Sequence, residues 1–262
     1  MSDALVGYDV TEHVAVLSLQ NPQKLNALSD AMLAALKAAL TRAGADAQVR
    51  VVVIKGTGKA FCAGHDLKEM QAGRAAPDKG AAYFADLFNR CAEVMQLIPA
   101  LPQPVIAQVH GIATAAGCQL VASCDMAVAA SDARFGVNGV NIGLFCSTPM
   151  VALTRNLSRK AAFEMLTTGQ FIPATRALEL GLINRTAPPE DLEAETMALA
   201  QTVAAKLGAA VRIGKRAFYD QINLPLDQAY ALTGQVMVEN MLERDTDEGI
   251  QAFIEKRAPD WA

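Results

Sequence analysis

The chain has 262 residues, of which 52% are hydrophobic and 19% charged, and its formal net charge is −4 at pH 7. This composition is ordinary for a globular protein, and the negative balance argues against nucleic acid as a partner because no net basic field would hold phosphates. No apolar stretch reaches about 18 residues without polar interruption, so we expect neither a membrane span nor a secretion signal.

The cysteines and histidines are scattered along the chain. None of the five cysteines belongs to a C-x-x-C pair, and the three histidines form no cluster with them. An odd number of cysteines without a framework is typical of a reducing compartment and of buried free thiols. The sequence therefore predicts a cytoplasmic protein without a metal site.

The first part of the chain predicts a hairpin, a helix and a buried strand. Two β-like runs at residues 5–10 and 14–19 flank a short turn, which is typical of a hairpin. Ser29 begins an amphipathic helical pattern that stops at Gly44. The continuous apolar run at residues 51–54 is typical of a strand that is covered on both faces of a parallel sheet.

Strands and helices then alternate. We predict a helix over residues 83–98, a strand from Val105, a helix from Cys118 and a further strand over residues 126–129. Such alternation is typical of an α/β core whose crossover connections are right-handed. The fold class predicted from the pattern alone is therefore α/β.

The chain becomes mainly helical towards its C-terminal end. Pro173 and Gly181 bracket a short predicted helix, in the usual order of proline before and glycine after. Thr246 is the predicted N-cap of the last helix. We place the α/β core in residues 1–190 and a helical region in residues 191–262.

Two segments share a strand–turn–helix pattern with small residues in the turn. One turn contains Ala63 and Gly64, and the other spans residues 113–117. Two such turns can each offer one backbone N–H to the same oxygen, which forms an oxyanion hole; one donor typically contributes about 3 to 4 kcal/mol to transition-state stabilisation. Taken singly, each turn is equally explained as an ordinary structural turn before a helix.

The residues that carry these turns resemble a known family. AFCAGHDLKEM (60–70), PVIAQVHGIATAAGCQLVASCDMAVAASDARFG (104–136), KAAFEMLTTGQFIPATRALELGLINR (160–185) and EGIQAFIEKR (248–257) resemble, in order, the enoyl-CoA hydratase/isomerase (crotonase) family. The resemblance implies a spiral of ββα units with a helical C-terminal trimerisation region, self-association as a trimer or a dimer of trimers, and an acyl-coenzyme A thioester as ligand. It implies no cofactor beyond the coenzyme A moiety of the substrate.

The resemblance also implies roles for particular residues. The thioester oxygen would lie between the backbone N–H groups of His65 and Ala116, where an enolate would develop. Five positions match residues that contact coenzyme A: Lys24, Ala63, Lys68, Phe253 and Lys256. The lysines among them have an alternative interpretation as ordinary surface residues.

The chain departs from the family at both positions where a hydratase carries a catalytic glutamate. The first position is Gln119 and the second is Gly139, and neither residue can exchange a proton at neutral pH. We expect a protein classed with the enoyl-CoA hydratases, which are lyases, that stabilises a thioester enolate. An isomerase, a thioester hydrolase or a non-catalytic acyl-CoA-binding protein are the alternatives.

Two residues are candidates to replace the missing glutamates. His65 is a natural proton carrier because the pKa of free histidine is about 6.5, although its ring could equally pack or face solvent while only its backbone acts. Cys146 lies on the segment that borders the acyl pocket in relatives and could be a nucleophile or a small apolar filler.

Overall fold

The computed structural model describes residues 4–261; residues 1–3 and 262 lie outside the described part. The strands are β1 (Val6–Thr11), β2 (Val14–Leu19), β3 (Val51–Gly56), β4 (Val105–Val109), β5 (Ile112–Thr114), β6 (Met126–Ala130), β7 (Arg134–Gly136), β8 (Ile172–Pro173) and β9 (Arg185–Ala187). The helices are α1 (Asp30–Ala45), α2 (Leu67–Gly73), α3 (Ala81–Ala100), α4 (Ala116–Ser123), α5 (Ser147–Asn156), α6 (Arg159–Thr168), α7 (Ala174–Leu180), α8 (Leu192–Ala204), α9 (Gly208–Gln221), α10 (Leu226–Met241) and α11 (Arg244–Glu255).

The strands form two sheets. The larger sheet has the order β1-β2-β3-β4-β6-β9 and is parallel except for the β1–β2 pair, and the smaller has the order β5-β7-β8. Helices connect the parallel strands, as crossover connections require. The predicted α/β class is therefore confirmed. None of the described helices has the length and apolarity that crossing a membrane requires.

The predicted hairpin is the antiparallel edge of the large sheet. Strand β1 begins and ends one residue later than predicted, and Thr11 pairs with Val14. Glu12 and His13 form the turn with φ values of 48° and 67°. Positive φ at both central residues is the mark of a type I′ turn, whose twist suits the flanking strands.

The central layer follows the predicted apolar pattern. Val51, Val52, Val53 and Ile54 are completely buried in β3, between β2 and β4. The Ser29 hydroxyl accepts a hydrogen bond from the Met32 N–H and caps α1 as predicted, which satisfies one of the unpaired N–H groups of a helix start. Helices α1 and α3 pack together, and α8 packs on β2, β3, β4 and β6.

The start of the last helix differs from the prediction. Helix α11 begins at Arg244 with Glu243 as its N-cap, whereas Thr246 lies inside the helix. The Thr246 hydroxyl instead accepts a hydrogen bond from the Asn240 amide at 3.1 Å. The Thr246 side chain, which the predicted N-cap requires, is therefore engaged by α10 instead. No local sequence pattern indicates this contact between helices. The division at residue 190 stays a prediction.

A buried ion pair joins the C-terminal helices to the core. The Lys215 ammonium on α9 lies 2.7 Å from an Asp125 carboxylate oxygen and also donates to the carbonyls of Ile98 and Gln103 at 2.9 and 2.8 Å. The Tyr219 hydroxyl donates to the second Asp125 oxygen at 2.7 Å. All three ammonium protons are thereby satisfied, as a buried charge requires.

We predict that Lys215→Ala lowers the free energy of unfolding by about 3 kcal/mol, because it leaves the buried Asp125 carboxylate without its counter-ion. Urea unfolding measures the loss. Arg216→Ala is the matched control, since the Arg216–Asp220 pair spans 3.5 Å on an 86% exposed side chain and should contribute little. Equal losses in the two variants would contradict the prediction.

Candidate functional site

The two turns singled out in the sequence lie side by side. The Thr114 N–H donates to the Cys62 carbonyl at 3.0 Å, and the Cys62 N–H donates to the Ile112 carbonyl at 3.2 Å. Residues 62 and 113 therefore pair as in a parallel bridge. The backbone entering α2 and the backbone entering α4 are thus held together by hydrogen bonds.

Two glycines allow this close approach. A Cβ atom on Gly64, whose φ is 87°, would lie 3.0 Å from the Thr114 carbonyl and 3.3 Å from the Ala116 nitrogen. On Gly117 it would lie 2.2 Å from the Cys62 carbonyl oxygen. A side chain at residue 117 would force the turns apart. The close approach of the two turns therefore requires glycine at this position.

The N–H groups of His65 and Ala116 are available at this junction. Ala115 has φ 50° and ψ −119° just before α4, a strained conformation of a kind that clusters at functional sites. Ala116 is the first residue of α4, so its N–H has no partner within the helix. Among residues 4–261, neither of the two N–H groups has a recorded hydrogen-bond acceptor. They are the donors that an oxyanion hole needs.

Three of the five expected coenzyme A contacts gather at the start of α2. The Lys24 ammonium lies 2.7 Å from an Asp66 carboxylate oxygen, and the other oxygen accepts from the Lys68 N–H at 2.9 Å. The Ala63 N–H donates to the Leu25 carbonyl at 3.0 Å, which holds the Lys24 segment beside this turn. The hydrogen bond from Lys24 lowers the pKa of Asp66. Lys24 stays half-exposed, and Lys68 is exposed.

The other two expected contacts lie on the C-terminal helices. Phe253 belongs to α11 and is 85% exposed, while Lys256 is the C-cap of that helix with φ 57°. The main helix contact of α11 is with α10. Phe253 and Lys256 therefore lie on a different element from the group around α2.

The His65 ring packs between helices. Its Nδ1 lies 3.3 Å from the Leu28 carbonyl oxygen, and its edge contacts the Phe88 ring with the centroids 5.8 Å apart. Burial lowers the pKa of His65, so the ring is neutral at pH 7. Its Nε2 is buried and has no hydrogen-bond partner in the described part of the chain.

Gln119 lies one helical turn after Ala116 and is 4% exposed. Helical side chains tilt towards the N-terminus, so the carboxamide lies over the first turn of α4. Its Oε1 is buried and has no hydrogen-bond partner among residues 4–261. A buried unpaired acceptor costs about 1 to 3 kcal/mol, and it is the kind of group that a ligand or water satisfies.

The structure leaves no room for a side chain at residue 139. Gly139 lies in a 3₁₀ turn, Asn138–Ile142, and a Cβ atom there would lie 2.3 Å from the Leu144 carbonyl oxygen and 2.9 Å from the Cys146 sulfur. Cys146 is buried, and burial raises the pKa of its thiol. The surroundings therefore favour a protonated filler over a thiolate nucleophile.

The sequence reasoning missed Asn138. Its side-chain Oδ1 accepts a hydrogen bond from the Thr114 hydroxyl at 2.7 Å, which ties the 3₁₀ turn to the residue just before the strained Ala115. The signal in the sequence that could have drawn attention to Asn138 was its position next to Gly139. The Thr114–Asn138 hydrogen bond joins residues 24 positions apart, so local sequence patterns do not predict it.

Comparisons with known proteins bear on the family of this chain. Residues 9–262 match the model of a family described as enoyl-CoA hydratase/isomerase. The chain is 48% identical to a mouse enoyl-CoA hydratase domain-containing protein 3, over 93% of this chain and 80% of that protein. A crystal structure of an enoyl-CoA hydratase from Mycobacterium smegmatis has a TM-score of 0.94 at 54% identity, covering 98% of both chains.

A crystal structure of human enoyl coenzyme A hydratase domain-containing protein 3 has a TM-score of 0.93 at 44% identity, and the match covers 98% of this chain and 100% of that one. These similarities show that the chain and its structural neighbours share one α/β fold. The chain belongs to the enoyl-CoA hydratase/isomerase family. The family resemblance drawn from the sequence is confirmed.

The comparisons correct one expectation. The mouse and human relatives are named as mitochondrial proteins, which contradicts the cytoplasmic location expected from the cysteine pattern. The cysteine pattern was a poor guide because free thiols indicate a reducing environment and do not identify the compartment.

We predict that Gly139→Ala lowers the free energy of unfolding by about 1 to 3 kcal/mol, because the added methyl group meets the Leu144 carbonyl in a packed turn. Gly214→Ala is the control: nothing lies within 4 Å of a Cβ at this position in α9, so alanine should stabilise the helix slightly. Thermal unfolding of both variants checks the prediction, and an unchanged Gly139→Ala protein would contradict it.

Proposed function

We propose that this protein binds an acyl-CoA thioester and stabilises negative charge on the thioester oxygen. The observation that carries this proposal is the pair of N–H groups on His65 and Ala116, which two joined turns hold together without a recorded acceptor among residues 4–261. An enolate oxygen needs two such donors in a fixed, dehydrated place. Ala116 is 1% exposed, in keeping with that requirement.

The proposed coenzyme A contacts start at α2. Lys24 and Lys68 place two positive side chains beside the turn that carries the His65 N–H, although Asp66 offsets part of the charge of Lys24. Lysine is a common partner of phosphate. Ala63 lies in the same turn, where its lack of a long side chain leaves room for the ligand.

Ordinary hydration is not supported by the side chains present. Gln119 and Gly139 stand where a hydratase has its two proton-exchanging carboxylates, and each such group contributes about 10²–10⁴-fold to the rate. The protein is therefore classed with the enoyl-CoA hydratases by family, while its chemistry is proposed to stop at enolate stabilisation. The same absence favours a second candidate, a non-catalytic acyl-CoA-binding protein.

We also propose self-association as a trimer or a dimer of trimers. The C-terminal helices expose many large apolar side chains, a feature that marks protein–protein contacts. These residues lie on α9, α10 and α11 or beside them: Phe218, Ile222, Leu226, Tyr230, Met237, Val238, Met241, Leu242, Phe253 and Ile254.

We predict that butyryl-CoA binds at least about tenfold more tightly than S-butyl-CoA, the thioether without the carbonyl oxygen. The two ligands share the coenzyme A moiety and chain length, so the difference reports hydrogen bonds from the two N–H groups, and tenfold corresponds to about 1.4 kcal/mol. Calorimetric titration of the wild-type protein measures both. Equal affinities would contradict an oxyanion hole, and no binding of either ligand would contradict the proposed function.

We predict negligible hydration of crotonyl-CoA, since neither glutamate position carries a carboxylate. Loss of the absorbance of the conjugated thioester measures the reaction. The control is binding of crotonyl-CoA under the same conditions, which shows that the site is occupied. A rate near that of ordinary hydratases would contradict the prediction and the placement of the site.

A further inference from the structure

The site lacks the family's two glutamates, and most other titratable groups around the two turns are already engaged. Asp66 binds Lys24 and caps α2, and the Glu69 carboxylate accepts from the Asp30 N–H at 2.9 Å. Burial raises the pKa of the Cys62 thiol to about 12 and of the Cys118 thiol to about 12. Both carboxylates are thus held by structural partners, and thiols with a raised pKa stay protonated at neutral pH.

His65 differs from all of them. Its Nδ1 faces the Leu28 carbonyl, an acceptor, so this nitrogen carries the proton. The lone pair of the neutral ring is therefore on Nε2, which is buried and has no recorded partner. When a backbone carbonyl holds one ring nitrogen of a histidine, the other nitrogen is oriented to accept a proton. His65 has this arrangement of a general base.

The charges around the ring leave it neutral. Asp30 on α1 and Arg90 on α3 face His65 with opposite effects on its pKa, and they form an ion pair with each other at 2.9 Å. Glu69, on α2, is held by the Asp30 backbone. Burial is the largest effect and lowers the pKa from 6.5.

We propose that the His65 imidazole is the proton-exchanging group of this site and acts through Nε2 on the α-carbon of a bound acyl thioester. The Cα–H bond breaks, its proton moves to Nε2, and its electron pair forms a double bond between Cα and the carbonyl carbon. The carbonyl π electrons move to the oxygen, which the N–H groups of His65 and Ala116 hold. Return of the proton restores the thioester, so no co-reactant is needed.

This inference rests on the proposed function, and hydrogen–deuterium exchange tests it separately. The wild-type protein is incubated with butyryl-CoA in D₂O, and deuterium at the α-carbon is measured by mass spectrometry. His65→Gln removes the base and should lower the exchange rate by about 10²-fold or more, while calorimetry shows butyryl-CoA affinity within a few fold of wild type.

His13→Gln is the matched control. The Nδ1 of His13 also lies against a backbone carbonyl, that of Gln48 at 2.8 Å, but the residue lies in the β1–β2 turn. We expect this variant to exchange at the wild-type rate. A loss equal to that of His65→Gln would overturn the assignment to His65.

The pH profile gives an independent readout. Because burial lowers the pKa of His65 below 6.5, the neutral, proton-accepting form predominates above that pH. The exchange rate should level off between pH 6.5 and 8, apart from the background measured with His65→Gln, and should fall as the pH drops through the lowered pKa. A first-order rise with pH across this range would identify hydroxide as the base and overturn the proposal.

The remaining outcomes separate the two proposals. Binding of butyryl-CoA without exchange above the solvent background overturns the role of His65 and leaves the binding function standing. Exchange that persists in His65→Gln does the same. Failure of butyryl-CoA to bind contradicts the proposed function and this inference with it.

Discussion

The site depends on one steric constraint, the close approach of two backbone turns. Gly117 lies so near the Cys62 carbonyl that a Cβ atom would be 2.2 Å from its oxygen, and the Thr114 N–H binds the same carbonyl. The approach brings together the free N–H groups that follow each turn. Any side chain at residue 117 would separate these donors, and a pair that no longer converges on one oxygen loses most of its electrostatic value.

Helix α4 connects this junction to the rest of the molecule. It begins at Ala116 and is followed by Asp125, whose carboxylate accepts from the Val105 N–H, the Lys215 ammonium and the Tyr219 hydroxyl. One short helix thus carries the Ala116 N–H of the candidate site at one end and the attachment of α9 near the other. Packing of the C-terminal helices therefore restrains the helix whose N-terminus forms the site, because a packed helix moves as a unit.

The sequence predicted what local physical chemistry determines. The turn at Glu12 and His13, the Ser29 cap and the buried strand β3 follow from patterns within a few residues. Contacts between distant segments were not predictable: the Thr246 hydroxyl is taken by Asn240, and Thr114 binds Asn138. The family resemblance located both turns, but only the folded chain shows that Nε2 of His65 lies buried without a recorded partner among residues 4–261.

One physical argument accounts for the residues at positions 119 and 139. At residue 139 the Leu144 carbonyl and the Cys146 sulfur occupy the space where a side chain would begin, so a carboxylate cannot be placed there without moving the whole turn. A lone carboxylate at residue 119 would then be buried at a position that is 4% exposed, and desolvation would raise its pKa and oppose its charged form. A neutral carboxamide avoids that cost.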